Sequence, residues 1–470
     1  MSNKRRAVYS HSAEADPFLA GTERAVRFPA ENVPYPEQNN MTKEENSMKR
    51  YLAVLLTAIL MVGCVSFPAA ADGTTPITID FWNTWTGSDG AVMDEIVERF
   101  NATNPYGITV NMDRDAEMET KIQVAYAANS APPLILMSSM NIVPQLLQGN
   151  IVPMDDIFDS TALEESDFVE AIINDCRFQD HLYVLPMQVN SRFLYWNKDL
   201  LNAAGFDGEN GPQTWEELAE MSLAITDESK NIYGGGAPYD YAGGLIIMMM
   251  DFGGQLLSGT SAEDYASALY SEENLEALNF WRDMIDNHSA PALGNADYST
   301  MFKAGTLGFT IAGPYFSVGL SDYVNYGVSV LPAGPVAQVA DTSISGFAIT
   351  KNSTPEQTAA SYKFIEYWNN ALTSTEEFDL IPAVRWSKDI GFPPYLKSVR
   401  DNEEIASMEP LATFSTFADY AASIYPKDFN ALTFLLFDVI NPMFETIAYG
   451  GEVDSTLKHY SDVLDTWREH

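Results

Sequence analysis

Along positions 77–137, the spacing of hydrophobic residues switches between a two-residue period and a three- to four-residue period. Apolar residues recur at every second position in 77–82 and 108–112, and this period predicts two strands. Three- and four-residue spacing predicts a helix at 93–100, and a second predicted helix covers 117–128. A short apolar run at 134–137 then predicts a buried third strand. This order of elements predicts an α/β fold, with a parallel sheet that carries helices on both faces.

Candidate binding side chains follow two of these predicted strands. Ligands of such sheets bind outside the carboxyl ends of the strands. The first strand ends in Trp82, Asn83 and Trp85, and the third ends at Ser138. Flat aromatic faces cover the apolar face of a sugar ring, while amides and hydroxyls exchange hydrogen bonds with sugar hydroxyls. We therefore predict ligand contact for these residues. The alternative is that one tryptophan packs inside the fold and that Asn83 only turns the chain.

The first 71 residues predict an N-terminal extension followed by an export signal. Residues 1–47 are polar and aperiodic, and Met48 begins a basic segment that leads into an apolar run at 51–62. This run is too short to span a membrane, which takes about 20 residues, and is typical of a signal peptide. Residues 60–64 resemble a lipobox that would lipidate Cys64, whereas residues 69–71 fit ordinary cleavage. We favour lipidation of Cys64, take Met48 as the true start, and expect a periplasmic or cell-surface protein.

The chain is strongly acidic. Its 470 residues include 26 basic and 65 acidic side chains, for a formal charge of −39. Nucleic acid and anionic membrane surfaces repel such a chain, so we expect neither as a partner, and a membrane only through the lipid anchor. The 2 cysteines and 5 histidines lack metal-ligand spacing, so no metal site is predicted. Cys176 is expected to be buried apolar filler.

Several segments resemble one known family in order and spacing. They are LYVLP at 182–186, YWNKDLLNAAGF at 195–206, PQTWEEL at 212–218 and MFKAGTLGFTIAGPYF at 301–316. Together they resemble the extracellular solute-binding proteins of ABC importers, in the maltose-binding-protein-like branch. The resemblance extends from about Pro76 to the C-terminus, although Leu134 and Met154 depart from the residues usual in that family.

The resemblance implies a type II periplasmic-binding-protein fold. Such a fold has two Rossmann-like lobes, a hinge of several chain crossings, and a ligand in the cleft between the lobes. The implied first lobe comprises 72–187 and 345–381, and the second comprises 188–344 and 382–470. The implied crossings lie at 186–193, 342–346 and 381–385.

The implied cleft adds further candidate ligand contacts to those at the strand ends. All of them lie at the crossings or in strand-end loops. They are Gln188, Asn190, Tyr239, Tyr315, Gly346 and Arg385. Hinge-strand solvation is the alternative for Gln188 and Asn190. Arg385 could clamp an anionic group, or it could pair with a neighbouring acid.

The resemblance implies a monomeric substrate-binding component of an ABC transporter that captures a sugar and delivers it to the permease. We expect no enzymatic activity and no cofactor. A glycerol-3-phosphate-like or other polyol ligand is the alternative within this class, and the scarcity of Lys and Arg speaks against a phosphate. A secreted carbohydrate-active hydrolase and an anchored adhesion or scaffold protein are the alternatives from other classes.

Overall fold

The computed structural model describes residues 76–235, 242–261, 263–287, 289, 297–422, 424–426, 429 and 431–469. Nine strands build its two principal sheets: β1 (Ile77–Asn83), β2 (Ile108–Arg114), β3 (Leu134–Ser138), β4 (Leu185–Asn190), β5 (Phe193–Asn197), β6 (Tyr233–Gly235), β7 (Leu307–Ala312), β8 (Tyr326–Val330) and β9 (Ser343–Ile349). Shorter two-residue ladders join Leu257–Ser258 to Ala266–Ser267, Ala340–Asp341 to Ala421–Ala422, and Arg177–Phe178 to His181–Leu182.

The helices of six or more residues alternate with these strands. They are α1 (Ser88–Thr103), α2 (Met118–Ala127), α3 (Ile142–Leu147), α4 (Glu170–Asp175), α5 (Lys198–Ala203), α6 (Trp215–Ile225), α7 (Ala242–Asp251), α8 (Glu272–Asp286), α9 (Tyr298–Lys303), α10 (Pro355–Asn369), α11 (Pro382–Ile390), α12 (Asn441–Ala448) and α13 (Val453–Leu464). A π-helix, Leu435–Ile440, precedes α12. None of the helices in the described residues is long and apolar enough to cross a membrane.

The first sheet has the strand order β2-β1-β3-β9-β4. Its strands β1, β2 and β3 are parallel, as the alternation of strands and helices predicts. The later strand β9 enters antiparallel between β3 and β4. Gly346 lies in this interior strand, where a Cβ atom would stand 2.2 Å from the carbonyl oxygen of Leu185. Two backbones therefore approach closely at a position that excludes a side chain.

The second sheet has the strand order β8-β5-β7-β6. Its central strand β5 pairs antiparallel with both β7 and β8. Polar side chains cap the two helices that follow β5. Asn197 Oδ1 accepts hydrogen bonds from the backbone of Asp199 and Leu200, at 3.0 and 3.1 Å. Thr214 Oγ1 accepts one from the Glu217 backbone at 3.2 Å.

Each sheet has its own apolar core. Behind the first sheet, Phe81, Phe347 and Phe364 form a triad whose ring centroids are 5.7 to 5.8 Å apart. Behind the second sheet, Trp215 and Trp281 are almost fully buried. Burial of aromatic side chains of this size is a dominant stabilising contribution in each half.

Two connections between the sheets lie side by side. Residues 191–192 lead from β4 to β5, and residues 340–342 lead into β9. Asn190 at the end of β4 pairs in register with Ser343 at the start of β9. The first two crossings that the resemblance implies include these positions, and their role as a hinge stays a prediction.

The segment expected to form the third crossing is instead helix α11. Pro382 stands at its first position, and Gly391, at φ 87°, ends it in the left-handed region. The helix packs with the first sheet, since Trp386 contacts Trp368 of α10 with ring centroids 5.5 Å apart. The lobe boundary at residue 382 stays a prediction, and the packing of α11 against α10 favours a boundary later in the chain. The resemblance implied a chain crossing here, whereas Pro382 and Gly391 favour a helix locally.

Candidate functional site

A first pocket opens at the carboxyl ends of β1 and β3, against helix α2. It encloses about 890 Å³ of empty space that is open to solvent. Aromatic and polar side chains line it together, among them Trp82, Trp85, Gln123, Tyr126, Ser138 and Ser345. Three predicted contacts, Trp82, Trp85 and Ser138, thus meet in one pocket. Ligand contact by these residues stays a prediction.

Trp82 is half-buried, and one face of its indole ring is covered by a cation. The Nζ atom of Lys121 lies 4.6 Å from the ring centroid. Lys121 also forms an ion pair with Asp113, the residue beside Trp82 in the register of β1 and β2. A cation held over an aromatic face stabilises the ring in that orientation. The other face of Trp82 is the one that can stack on a ligand.

Trp85 is supported from behind by a buried ring. Its indole lies on that of Trp386, with ring centroids 4.9 Å apart and planes inclined by 30°. Trp386 Nε1 donates to Gln188 Oε1 at 2.9 Å. Asn83 Oδ1 accepts from the backbone N–H of Trp85 at 3.0 Å. Asn83 and Gln188, both buried, therefore hold the aromatic groups in place, and their predicted ligand contact remains untested.

Hydroxyl groups lie at the base of the first pocket. Ser138 and Ser345 are register partners on β3 and β9. The hydroxyl of Tyr126 is buried and has no hydrogen-bond partner among the described residues. Burial raises the pKa of Tyr126 well above its ordinary value, so this phenol stays neutral and can both donate and accept a hydrogen bond. Tyr126 escaped prediction because its place in a helical pattern is also typical of a core residue.

A second pocket, of about 970 Å³, lies between the two sheets. The predicted residues Asn190 and Tyr315 meet in it, beside Thr310 of β7 and Ser343 of β9. Tyr315 is 57% exposed. Gly313 lets the Tyr315 ring and Asn190 lie close to its backbone, since a Cβ atom there would stand 2.4 Å from the Tyr315 ring and 3.1 Å from Asn190 Oδ1.

A third pocket, of about 880 Å³, shares residues 192, 341 and 343 with the second. Its lining includes Met140, Tyr425 and Phe437. Phe437 is 67% exposed and belongs to the π-helix, an arrangement frequent at functional sites. Phe437 escaped prediction because helical spacing does not reveal a π-helix. Ser343 and Ser345 are two residues apart on β9 and so share a face, which links these pockets to the first.

The remaining predicted site residues lie elsewhere. Gly346 is enclosed between β3 and β4. Arg385 of α11 pairs with Glu95 of α1 at 2.7 Å and with Asp389 at 3.1 Å, which is the alternative that the sequence left open. Tyr239 lies outside the described residues, as does Cys64.

The arrangement favours reversible binding of a hydroxylated ligand. Half-buried indoles can stack on ring faces, and serine, tyrosine and amide groups around them can exchange hydrogen bonds. Among the described residues, no group of three or more His, Cys, Asp or Glu side chains is placed to hold a metal ion.

Comparison with known proteins identifies the family. The profile of the bacterial extracellular solute-binding proteins matches residues 95–413, more than half of the chain. The chain therefore belongs to the bacterial extracellular solute-binding protein family. It is 25% identical over 347 residues to the sn-glycerol-3-phosphate-binding periplasmic protein UgpB of Shigella flexneri, covering 69% of this chain and 75% of that protein.

Solved structures show the same fold. A Thermotoga lettingae ABC transporter solute-binding protein bound to α-D-tagatose superposes with a TM-score of 0.68 at 20% identity, covering 83% of this chain and 99% of that one. The GacH receptor of Streptomyces glaucescens, described unliganded and with acarbose, gives a TM-score of 0.69 at 19% identity, covering 84% and 99%. The protein thus has the type II periplasmic-binding-protein fold that the resemblance implies.

Proposed function

We propose that this protein is the substrate-binding component of an ABC transporter, and that it captures a sugar in the cleft between its sheets and delivers it to the permease. The observation that carries this proposal is the first pocket. There Trp82 and Trp85 stand over serine, tyrosine and amide groups, and none of the described residues that line it is basic. This composition suits an uncharged, polyhydroxylated ligand with apolar ring faces.

The two sheets are the cores of two lobes that close on the ligand. The first lobe comprises residues 76–190 and 343–404, and the second comprises 193–341 and 411–469. This division follows the sheet order and the packing of α11. Bending at the connections between the lobes would bring the first pocket toward Tyr315 and Phe437. Ligand favours closure by binding the closed form more tightly, and the permease senses that form.

The names of relatives support a sugar and also identify the rival ligand. Tagatose and acarbose occupy two structurally similar receptors, whereas the Shigella relative binds sn-glycerol 3-phosphate. The exported, monomeric protein would be attached to the membrane through lipidated Cys64. It has no catalytic role in this proposal and releases its ligand unchanged.

A thermal-shift screen of the purified protein tests the proposal. The panel contains mono- and oligosaccharides, polyols and their phosphates. A ligand at a hundred times its dissociation constant adds about 2.7 kcal/mol to the free energy of unfolding. We expect a neutral sugar to raise the midpoint and to be recovered unaltered by chromatography. Recovery of cleaved sugar would support a hydrolase, stabilisation by glycerol 3-phosphate alone would support the phosphate receptor, and no stabilisation would contradict a receptor for this panel.

A further inference from the structure

An ion pair joins the two adjoining connections between the sheets. Arg192 follows β4, and Asp341 precedes β9. The guanidinium of Arg192 pairs with Asp341 Oδ2, and the Arg192 backbone N–H donates to Asp341 Oδ1 at 3.0 Å. The side chains are only 15% and 6% exposed. Solvent therefore screens this pair little, and each charge compensates the other.

The pair belongs to the proposed cleft. Both residues line the second and the third pocket. Of the described residues that line the three pockets, Arg192 is the only one with a basic side chain. The one basic side chain in the described lining of these three pockets is thus already opposed by a carboxylate in direct contact.

We propose that Asp341 is a specificity-determining residue, which neutralises Arg192 so that the cleft accepts uncharged sugars and rejects phosphorylated ones. This inference rests on the proposed function, because it assumes that these pockets hold the ligand. A phosphate that approaches Arg192 must compete with the Asp341 carboxylate for the guanidinium and is repelled by it. A neutral hydroxyl meets no such repulsion.

The substitution Asp341→Asn isolates the charge. Asparagine has nearly the same shape, and its Oδ1 atom can still accept from the Arg192 backbone N–H. The variant removes the Asp341 carboxylate from a largely buried guanidinium, where a bound phosphate would supply a new negative charge. Charge-assisted hydrogen bonds of this kind correspond to a gain of about 10- to 100-fold in affinity.

The test compares wild type, D341N and the double variant D341N/R192Q by calorimetric titration with sn-glycerol 3-phosphate and with inorganic phosphate. D438N serves as the matched control, because Asp438 is exposed and its loss changes the net charge equally. We expect D341N alone to gain about 10- to 100-fold for glycerol 3-phosphate. The gain should shrink at high salt and disappear in the double variant. A gain with inorganic phosphate as well would show that the phosphoryl group alone is recognised.

Three results would overturn the inference. They are an unchanged affinity of D341N for both probes, a gain that persists without Arg192, and wild type that binds glycerol 3-phosphate as tightly as its sugar. If D341N does not fold, as judged by circular dichroism, D341S provides the same charge removal and the wild-type comparison still decides. If wild type binds a sugar and D341N gains no affinity for either phosphate probe, only the role of Asp341 is rejected. If wild type binds no ligand of the panel, the proposed function is rejected.

Discussion

At the scale of single residues, the first pocket depends on how its indoles are supported. Lys121 covers one face of Trp82, and Trp85 lies on the buried Trp386. Neither support is adjacent in sequence to the ring that it orients. Such preorganisation reduces the entropy that a ligand must overcome on binding.

Removal of the Trp82 ring should weaken sugar binding strongly, and removal of its support should weaken it less. We expect Trp82→Ala to raise the dissociation constant about tenfold or more, because both stacking and buried apolar area are lost. Lys121→Met should raise it about two- to fivefold, and Lys121→Arg should preserve affinity, since arginine also stacks on indole. Calorimetry measures these values. Tyr449→Ala, at a residue 70% exposed and away from the pockets, is the control. Equal affinity of Trp82→Ala and wild type would exclude Trp82 from the site.

At the scale of elements, the interior strand β9 constrains how the two halves of the fold are connected. It lies between β3 and β4, and it begins where the second connection ends. The register between β9 and β4 shifts at Ser345 and Gly346. This irregularity coincides with the closest backbone approach around Gly346.

Substitution of Gly346 should therefore destabilise the fold. We expect Gly346→Ala to lower the free energy of unfolding by about 1–3 kcal/mol, since the added methyl group overlaps the Leu185 carbonyl. Urea unfolding followed by tryptophan fluorescence measures the change. Gly87→Ala is the matched control, because its Cβ would meet only the flexible Asp89 side chain at 3.3 Å. A loss at Gly346 no larger than at Gly87 would show that the strands separate easily there.

At the scale of the whole molecule, one buried carboxyl group contributes pH dependence to stability. Asp251 at the end of α7 accepts from Trp215 Nε1 at 2.9 Å and from the Val339 backbone N–H at 2.8 Å. Burial nevertheless raises the pKa of Asp251 to about 7, because desolvation exceeds the effect of these two hydrogen bonds. In the unfolded chain, the group titrates near the ordinary value of about 3.9.

Between about pH 4 and pH 7, the folded protein holds a proton at Asp251 that the unfolded chain has released. The free energy of unfolding should therefore fall as the pH rises through this window, by a few kcal/mol in total. Asp251→Asn stays neutral and should lack this contribution. Urea unfolding at several pH values compares the two proteins, so that effects of the other carboxylates cancel. Parallel pH profiles would contradict the assignment to Asp251.

Sequence patterns predicted much of this architecture because its elements are locally encoded. Alternation predicted β1 and β2, and a short apolar run predicted β3. Because ligands bind at the carboxyl ends of parallel strands, Trp82, Trp85 and Ser138 were expected at one edge of the sheet. The pair of Arg192 and Asp341 escaped prediction because its members are 149 positions apart and neither position shows a local motif. Arg385 lies in helix α11, which Pro382 and Gly391 favour locally, whereas its place at a crossing was implied by the family resemblance alone.

The central claim is that two lobes close on a sugar, and small-angle X-ray scattering tests it most directly. The measurement compares the radius of gyration of the protein with and without a saturating sugar from the thermal-shift screen. Because ligand shifts the population toward the closed form, we expect the radius to decrease on addition of sugar and to remain unchanged with a sugar that does not stabilise the protein. Tight binding of the stabilising sugar with an unchanged radius would contradict capture by closure.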